Sequence, residues 1–347
     1  MGRILRSIVS VGSTSFLLLT LASARSQKAR YRLNSILYFL SLGVCSSLGV
    51  VYALVLSLFP GKRFHTNFLV ARSFLTIAGT LLGYKVTLEG SEHLNTRPAL
   101  LLMNHQSFLD ILCVSRIAPP ASIIMAKKEL KLVPLLGQFM WLSGTAFIDR
   151  KNRASAIKTM AQIGDHMRKH QLSMIMFPEG TRSYLATPGL LPFKKGAFHL
   201  AVQAQLPIVP VVCENYYRLF DGRTRFDPGH IRMSALPPIE TKGMTEADIG
   251  TLMNKVHDTM IKELVRFDEE LDRNDVNSAL HPTNKPQPYR LYGLSGLAAR
   301  LIGTGQPKRH IRKLDKIAKD QKQSQGTKPE DFGLVSADQQ QTAAPAL

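Results

Sequence analysis

Ala99-Leu100-Leu101-Leu102-Met103-Asn104-His105-Gln106-Ser107-Phe108-Leu109-Asp110 decides the fold class of this chain. An unbroken apolar run this short, followed by a polar cluster, reads as a strand buried on both faces. Helical character begins near Phe108 and continues to Ile117. A histidine placed where a strand gives way to a helix lies at the carboxyl edge of a sheet, the side on which α/β proteins bind ligands. Continuous helix would turn His105 and Asp110 onto different faces. With His105 ahead of the first turn, the carboxylate folds back onto the ring, selects one tautomer and leaves the other nitrogen to accept a proton. The helix N-terminus disfavours premature protonation, which suits a general base. Taken alone, H-x4-D spacing is common, and the plainer reading is a surface histidine beside a first-turn aspartate.

Outward from this stretch the same texture repeats. Short apolar runs at Lys85–Glu89, Ala99–Met103, Ser122–Met125, Ala146–Ile148, Ser173–Phe177, Ile208–Cys213 and Ile231–Ser234 read as strands. Helical stretches lie near Phe108–Ile117, Arg153–His170, Ala197–Ala204 and Glu246–Arg266. The alternation predicts an α/β domain, a largely parallel sheet covered by helices, over residues 85–280. Residues 281–347 are rich in Pro, Gln and Lys and read as a basic, disordered tail able to touch anionic lipid.

Residues 1–84 have a different character. Leu33 to Phe59 carries no charge and exceeds the ~20 residues of a spanning helix. Ile8 to Ala24 is a shorter apolar run behind Arg3 and Arg6, ending Ala22-Ser23-Ala24. It resembles a cleavable secretory signal and equally a retained anchor, and the hydrophobic segment so close behind favours retention. Phe68 to Tyr84 is interrupted by Arg72 and reads as a spanning helix with a snorkelling arginine or as an interfacial one. Arg25, Lys28, Arg30 and Arg32 place the first linker in the cytosol. Two crossings, or a shallow two-helix hairpin, then leave the remainder on the cytosolic side.

The 44 Lys and Arg against 25 Asp and Glu suit a polyanionic partner. Because no acidic residue precedes Glu89 and the early basic residues flank apolar runs, the partner expected is a membrane and not nucleic acid. Cys45, Cys113 and Cys213 are far apart, with no C-x-x-C pair, so neither a disulfide framework nor a zinc site is expected. Cys113 and Cys213 read as core residues.

Three further motifs accompany the histidine. Phe177-Pro178-Glu179-Gly180-Thr181-Arg182-Ser183 follows an apolar strand. Gly180 permits close backbone approach to a ligand, Thr181 and Ser183 offer hydroxyls, and Arg182 can fork onto a phosphate. Its plainer reading is a β-turn with a structural Glu–Arg pair. Gly144-Thr145-Ala146-Phe147-Ile148-Asp149-Arg150 ends a short strand with a second candidate phosphate ligand, Arg150, which is otherwise a solvated arginine. Pro207-Ile208-Val209-Pro210-Val211-Val212 reads as a buried strand, with a possible place along an apolar acyl path.

In this order and spacing, NHQSFLD, GTAFIDR, FPEGTRS and PIVPVV resemble the four blocks of the glycerolipid acyltransferase family, and most of all its 1-acyl-sn-glycerol-3-phosphate acyltransferases. Ala126–Leu130 and Phe193–Phe198 are also similar to that family, and the resemblance spans about Gly83 to Val265. It implies His105 as the base and Asp110 as its orienting partner. Arg150 and Arg182 would hold the acceptor phosphate with the backbone of Gly180 and Thr181. Glu179 would position the glycerol, and Lys194 and Lys195 would assist with phosphate or CoA. It further implies lysophosphatidic acid and acyl-CoA as substrates, no cofactor beyond that co-substrate, no metal, and residence in the endoplasmic reticulum membrane facing the cytosol. A thioester is reactive enough for direct attack by an alcohol, and no G-x-S-x-G elbow is present to supply an enzyme nucleophile. The alternatives are a relative acting on glycerol-3-phosphate or another lysophospholipid and, more remotely, an inactive basic membrane scaffold. Acyl-chain preference and oligomeric state leave no mark in the sequence.

Overall fold

The computed structural model describes residues 2–148, 153–274 and 293–301. Seven strands appear where the apolar runs place them: β1 (Tyr84–Glu89), β2 (Ala99–Met103), β3 (Ser122–Lys127), β4 (Ala146–Ile148), β5 (Ser173–Met176), β6 (Ile208–Cys213) and β7 (Gly229–Ala235). They form one sheet in the order β1-β7-β6-β2-β5-β3-β4. All neighbours are parallel except β6 and β7.

β2 is the centre of this sheet, and its side chains divide between two cores with the strand period of two. Ala99, Leu101 and Met103 enter one cluster, together with Val209, Val211 and Ile231. Leu100 and Leu102 enter the other, with Ile208, Val212 and Met174. Full burial of each leucine contributes roughly 1.5–3 kcal/mol.

The second cluster is covered by α6 (Arg153–His170), α7 (Gly196–Ala204) and α8 (Ile249–Asn274). α8 runs two turns past the expected Arg266 because that residue lies mid-helix. It pairs forward with Glu270 and back with Glu263, while Arg232 of β7 also holds Glu270.

The first cluster is covered by α4 (Asp110–Ile117) and by two helices from the N-terminal region, α2 (Gln27–Ser57) and α3 (Thr66–Leu82). α1 (Gly2–Ser23) precedes them, and a short α5 (Leu136–Leu142) leads into β4. The helices before residue 84 therefore share a core with the sheet. α3 buries Ala71, Phe74, Ala78 and Leu82, and its Asn67 amide donates to the carbonyl of Ser122 at the start of β3. Arg72 does not snorkel. Its guanidinium donates to the carbonyls of Ser115 and Arg116, capping the negative end of α4. α2 buries one side from Leu33 to Ala53 and exposes Ile36, Phe39, Leu40, Val44, Val51, Leu54 and Val55 on the other. Among the described residues it is the one helix long and apolar enough to cross a membrane.

Within the expected disordered tail, α9 (Gly293–Leu301) is ordered and packs against α1 and α3. Ser295, Ala298 and Ala299 form its buried face, at helical spacing. Cys113 and Cys213 are free and fully buried, as core residues should be.

Candidate active site

The turn between β2 and α4 is built around the carboxylate of Asp110. Its Oδ2 accepts from the backbone N–H of Gln106 at 2.7 Å and of Ser107 at 3.1 Å, and lies 2.8 Å from His105 Nδ1. Its Oδ1 accepts from the Tyr216 hydroxyl at 2.6 Å. This is why α4 begins at Asp110 and not at Phe108: residues 106 and 107 give their N–H groups to a side chain, an arrangement typical of Asp at a helix start. His105 therefore stands ahead of the helix, as its pairing with Asp110 requires.

A carboxylate surrounded by donors can only accept, so Nδ1 carries the ring proton and Nε2 has a lone pair available. The ring is further fixed by stacking on Phe177, with centroids 3.9 Å apart and an interplanar angle of 18°. Its side chain is 20% exposed, against 1% for Asp110, so the pair opens outward on the imidazole side.

Behind Asp110 the hydroxyls form an ordered chain. Leu109 N–H donates to Ser107 Oγ, Ser107 donates to Tyr216, and Tyr216 donates to Asp110. Burial, then the Asp110 charge, push the Tyr216 phenol well above its ordinary value, so it stays a donor. Asn104 clamps Cys213 of β6 in both directions, accepting from its N–H at 2.8 Å and donating to its carbonyl at 2.9 Å. Gln106 donates to the carbonyls of Cys213 and Glu214. Tyr216, Asn104, Gln106 and Phe177 carried no role in the sequence reading. Tyr216 had a usable signal, since it follows the end of a core strand where α/β sites assemble.

The FPEGTRS loop closes onto this turn. Ser183 N–H donates to the carbonyl of His105 at 2.9 Å, and Tyr184 N–H to that of Gln106 at 3.1 Å. Glu179 is fully buried, and its two oxygens accept from the backbone N–H of His105 at 2.6 Å and of Leu191 at 2.9 Å. Burial raises its pKa above the ordinary glutamate value, against the pull of these two donors. Glu179 thus braces the histidine from beneath through that residue's own backbone N–H. Gly180 adopts φ +70°, and a Cβ there would lie 3.1 Å from Lys194 Cγ. Lys194 is held alongside by its N–H donating to the carbonyl of Pro178 at 2.7 Å. Thr181, Arg182, Lys194 and Lys195 are all exposed and give the FPEGTRS loop, with Lys194 beside its Gly180, a basic rim. Arg182 donates to the Tyr184 hydroxyl at 3.0 Å. Arg150 lies outside the described residues. β6 is buried along its whole length and frames the site through Cys213.

An acyltransferase family model matches residues 85–214, which takes in every expected site residue and stops two short of Tyr216. A 1-acyl-sn-glycerol-3-phosphate acyltransferase of Saccharomyces cerevisiae is 42% identical over 67% of this chain and 77% of its own length. The chain belongs to the 1-acyl-sn-glycerol-3-phosphate acyltransferase family. The alpha form from Homo sapiens is 36% identical over 56% of this chain and 69% of its own length. Among solved structures, the family member PlsC from Thermotoga maritima superposes with a TM-score of 0.56 at 26% identity, covering 69% of this chain and 97% of that one. The family's parallel sheet and helical cover are therefore shared.

Proposed function

We propose that this chain transfers a fatty acyl group from acyl-CoA to the sn-2 hydroxyl of 1-acyl-sn-glycerol-3-phosphate, giving phosphatidic acid. The observation that carries the proposal is the Asp110-paired, Phe177-stacked His105, partly exposed and joined through its carbonyl to the loop that bears Thr181 and Arg182. Nε2 takes the proton as the acceptor oxygen attacks the thioester carbon. The C–S bond then breaks, and the imidazolium returns the proton to the leaving CoA sulfur. Asp110 stabilises the imidazolium in between. General-base help of this kind contributes about 10²–10⁴-fold, and the rest comes from positioning. Arg182, with Arg150, grips the acceptor phosphate, and the lysines extend that field toward phosphate or CoA.

The same reading places α2 in lipid through its outer face, while its inner face rests on the domain. A hairpin seated in one leaflet fits this better than a crossing, because a crossing α2 would draw α3 and α5 into hydrocarbon with it. Residence in the endoplasmic reticulum with the site facing the cytosol completes the proposal.

The test is acyl transfer from labelled acyl-CoA in isolated membranes with a panel of acceptors. Lysophosphatidic acid should outrank glycerol-3-phosphate and head-grouped lysophospholipids. His105→Ala should abolish turnover, and Arg182→Ala should raise acceptor KM. Retention of most activity in the histidine variant, with unchanged acceptor KM in the arginine variant, sinks the assignment.

A further inference from the structure

Between β3 and β4 lies a stretch that the catalytic reading does not use. Every residue from Lys127 to Leu135 is exposed, although the sequence KKELKLVPL is half apolar. Leu132 is 84% exposed, and Trp141 on α5 is 60% exposed. Side chains of this size left in water need a partner. The segment is also firmly placed. Phe139 of α5 sits on α2 so closely that a Cβ at Gly49 would lie 2.5 Å from its ring, and Gly144 sits with Arg63 of the α2–α3 connection, where a Cβ would be 3.1 Å from its guanidinium. α5 is thus fixed to the α2–α3 hairpin at its middle and just past its C-terminal end. Val51, Leu54 and Val55 of α2, with Leu58 and Phe59 just past its end, are likewise exposed. Gly137 is pressed against the carbonyl of Lys131, and Leu135 is held at φ +64°, a strained value for leucine. Those constraints keep the loop projecting where relaxation would let it fold back. Lys127, Lys128 and Lys131 are exposed in the same stretch, with Glu129 among them.

We infer that residues 127–142 form a second membrane contact, inserting Leu132 and Trp141 into the anionic lipid surface that receives α2. The occupant is argued from two features. Exposed apolar residues interspersed with lysines match hydrocarbon beneath acidic headgroups, and α5 packs directly on α2, whose outer face is apolar. With two contacts on one side of the catalytic turn, the domain has a fixed tilt to the lipid surface where one helix alone would leave it free to rotate.

Trp141 is the single tryptophan of the chain, so its emission reports on this segment alone. The full chain is reconstituted into vesicles of phosphatidylcholine and phosphatidylglycerol containing acyl-brominated lipid. The expected result is co-flotation, blue-shifted emission, quenching by the bromolipid and protection from acrylamide. Leu132→Asp, at a position outside the core, should leave flotation and the thermal melt unchanged while returning Trp141 to water. Two results overturn the inference. One is flotation with a water-exposed, acrylamide-quenched Trp141. The other is a shielded Trp141 that bromolipid does not quench and that tracks the protein-to-lipid ratio, which assigns the patch to a second copy of the chain. Failure to float overturns the lipid placement of α2 and this inference with it, and leaves the acyl-transfer assay as an independent result.

Discussion

Replacing Asp110 by asparagine separates what this carboxylate does for the fold from what it does for the histidine. Four donors converge on it, three at Oδ2 and one at Oδ1. An amide with its oxygen in the Oδ2 position keeps the two backbone N–H donors. Its NH2 then faces Tyr216, whose hydroxyl can rotate to accept from it and donate to Ser107 instead, since the Ser107–Tyr216 contact works in either direction. The variant should fold, losing about 1–2 kcal/mol as charged hydrogen bonds become neutral ones. Alanine offers no such repair. It leaves buried donors unpaired at roughly 1–3 kcal/mol each, a loss comparable with the whole stability of a domain. Catalysis should follow the opposite logic. A neutral amide orients His105 but does not stabilise the imidazolium, so turnover should lose a large part of the ~10²–10⁴-fold that general-base help supplies. Thermal melts of the detergent-solubilised proteins, alongside turnover at saturating acyl-CoA and acceptor, give both readouts. If the asparagine variant melts as early as the alanine variant, or turns over within a few-fold of the parent, the account of this turn is wrong.

Tyr216→Phe removes one donor from Asp110 and should lower stability by about 1.5–3 kcal/mol, measured by urea unfolding, with a larger fall in kcat than in acceptor affinity. Gly180→Ala forces a Cβ toward Lys194 at positive φ, at roughly 1–2 kcal/mol of backbone cost; the rim should shift, raising acceptor KM more than it lowers kcat. For Glu179 the folded pKa is raised by burial, so its titration contributes stability that is fully present below the unfolded value and is lost as pH rises through the folded one. Urea unfolding across that acid range should therefore show the parent losing ground to Glu179→Gln as pH rises.

How much could be read in advance depended on whether a feature was local. The strands were legible because burial on both faces leaves uninterrupted apolar runs, and Leu100–Leu102 show that pattern at the sheet centre. The His105–Asp110 pairing was legible once the helix was allowed to start late. Tyr216 was not, because it lies 106 positions from Asp110 in sequence and meets it only when β6 docks beside β2. The bracing contacts of Glu179 were hidden for a related reason. Nothing beside Gly-Thr-Arg tells which backbone N–H groups its two oxygens accept from until the loop closes on the β2–α4 turn. Arg72 in an apolar helix suggested a lipid boundary, and only the docking of α3 against the end of α4 reveals its acceptors. α9 was hidden by composition, since the basic, polar sequence around it outweighs nine residues with a small-residue face.

The N-terminal helices were expected to be an anchor that precedes a domain, and their packing makes a different prediction about truncation. Leu33, Leu37 and Tyr38 of α2 are buried in the same cluster as Leu101 and Met103 of β2. The Tyr38 hydroxyl donates to the carbonyl of Phe108, inside the β2–α4 turn, at 2.6 Å, and the Asn34 amide donates to the carbonyl of Phe226 at 2.7 Å. Losing three large buried side chains at about 1.5–3 kcal/mol each removes roughly 5–9 kcal/mol, against a typical total of about 5–15. A fragment spanning residues 60–347 should then be without a cooperative melt in any detergent and without turnover, even when acceptor and acyl-CoA are supplied in mixed micelles that bypass membrane delivery. The full chain in the same micelles should retain both. A fragment that melts cooperatively and acylates lysophosphatidic acid would show that α2 serves only for attachment, and that the Tyr38–Phe108 contact is incidental to the site it touches.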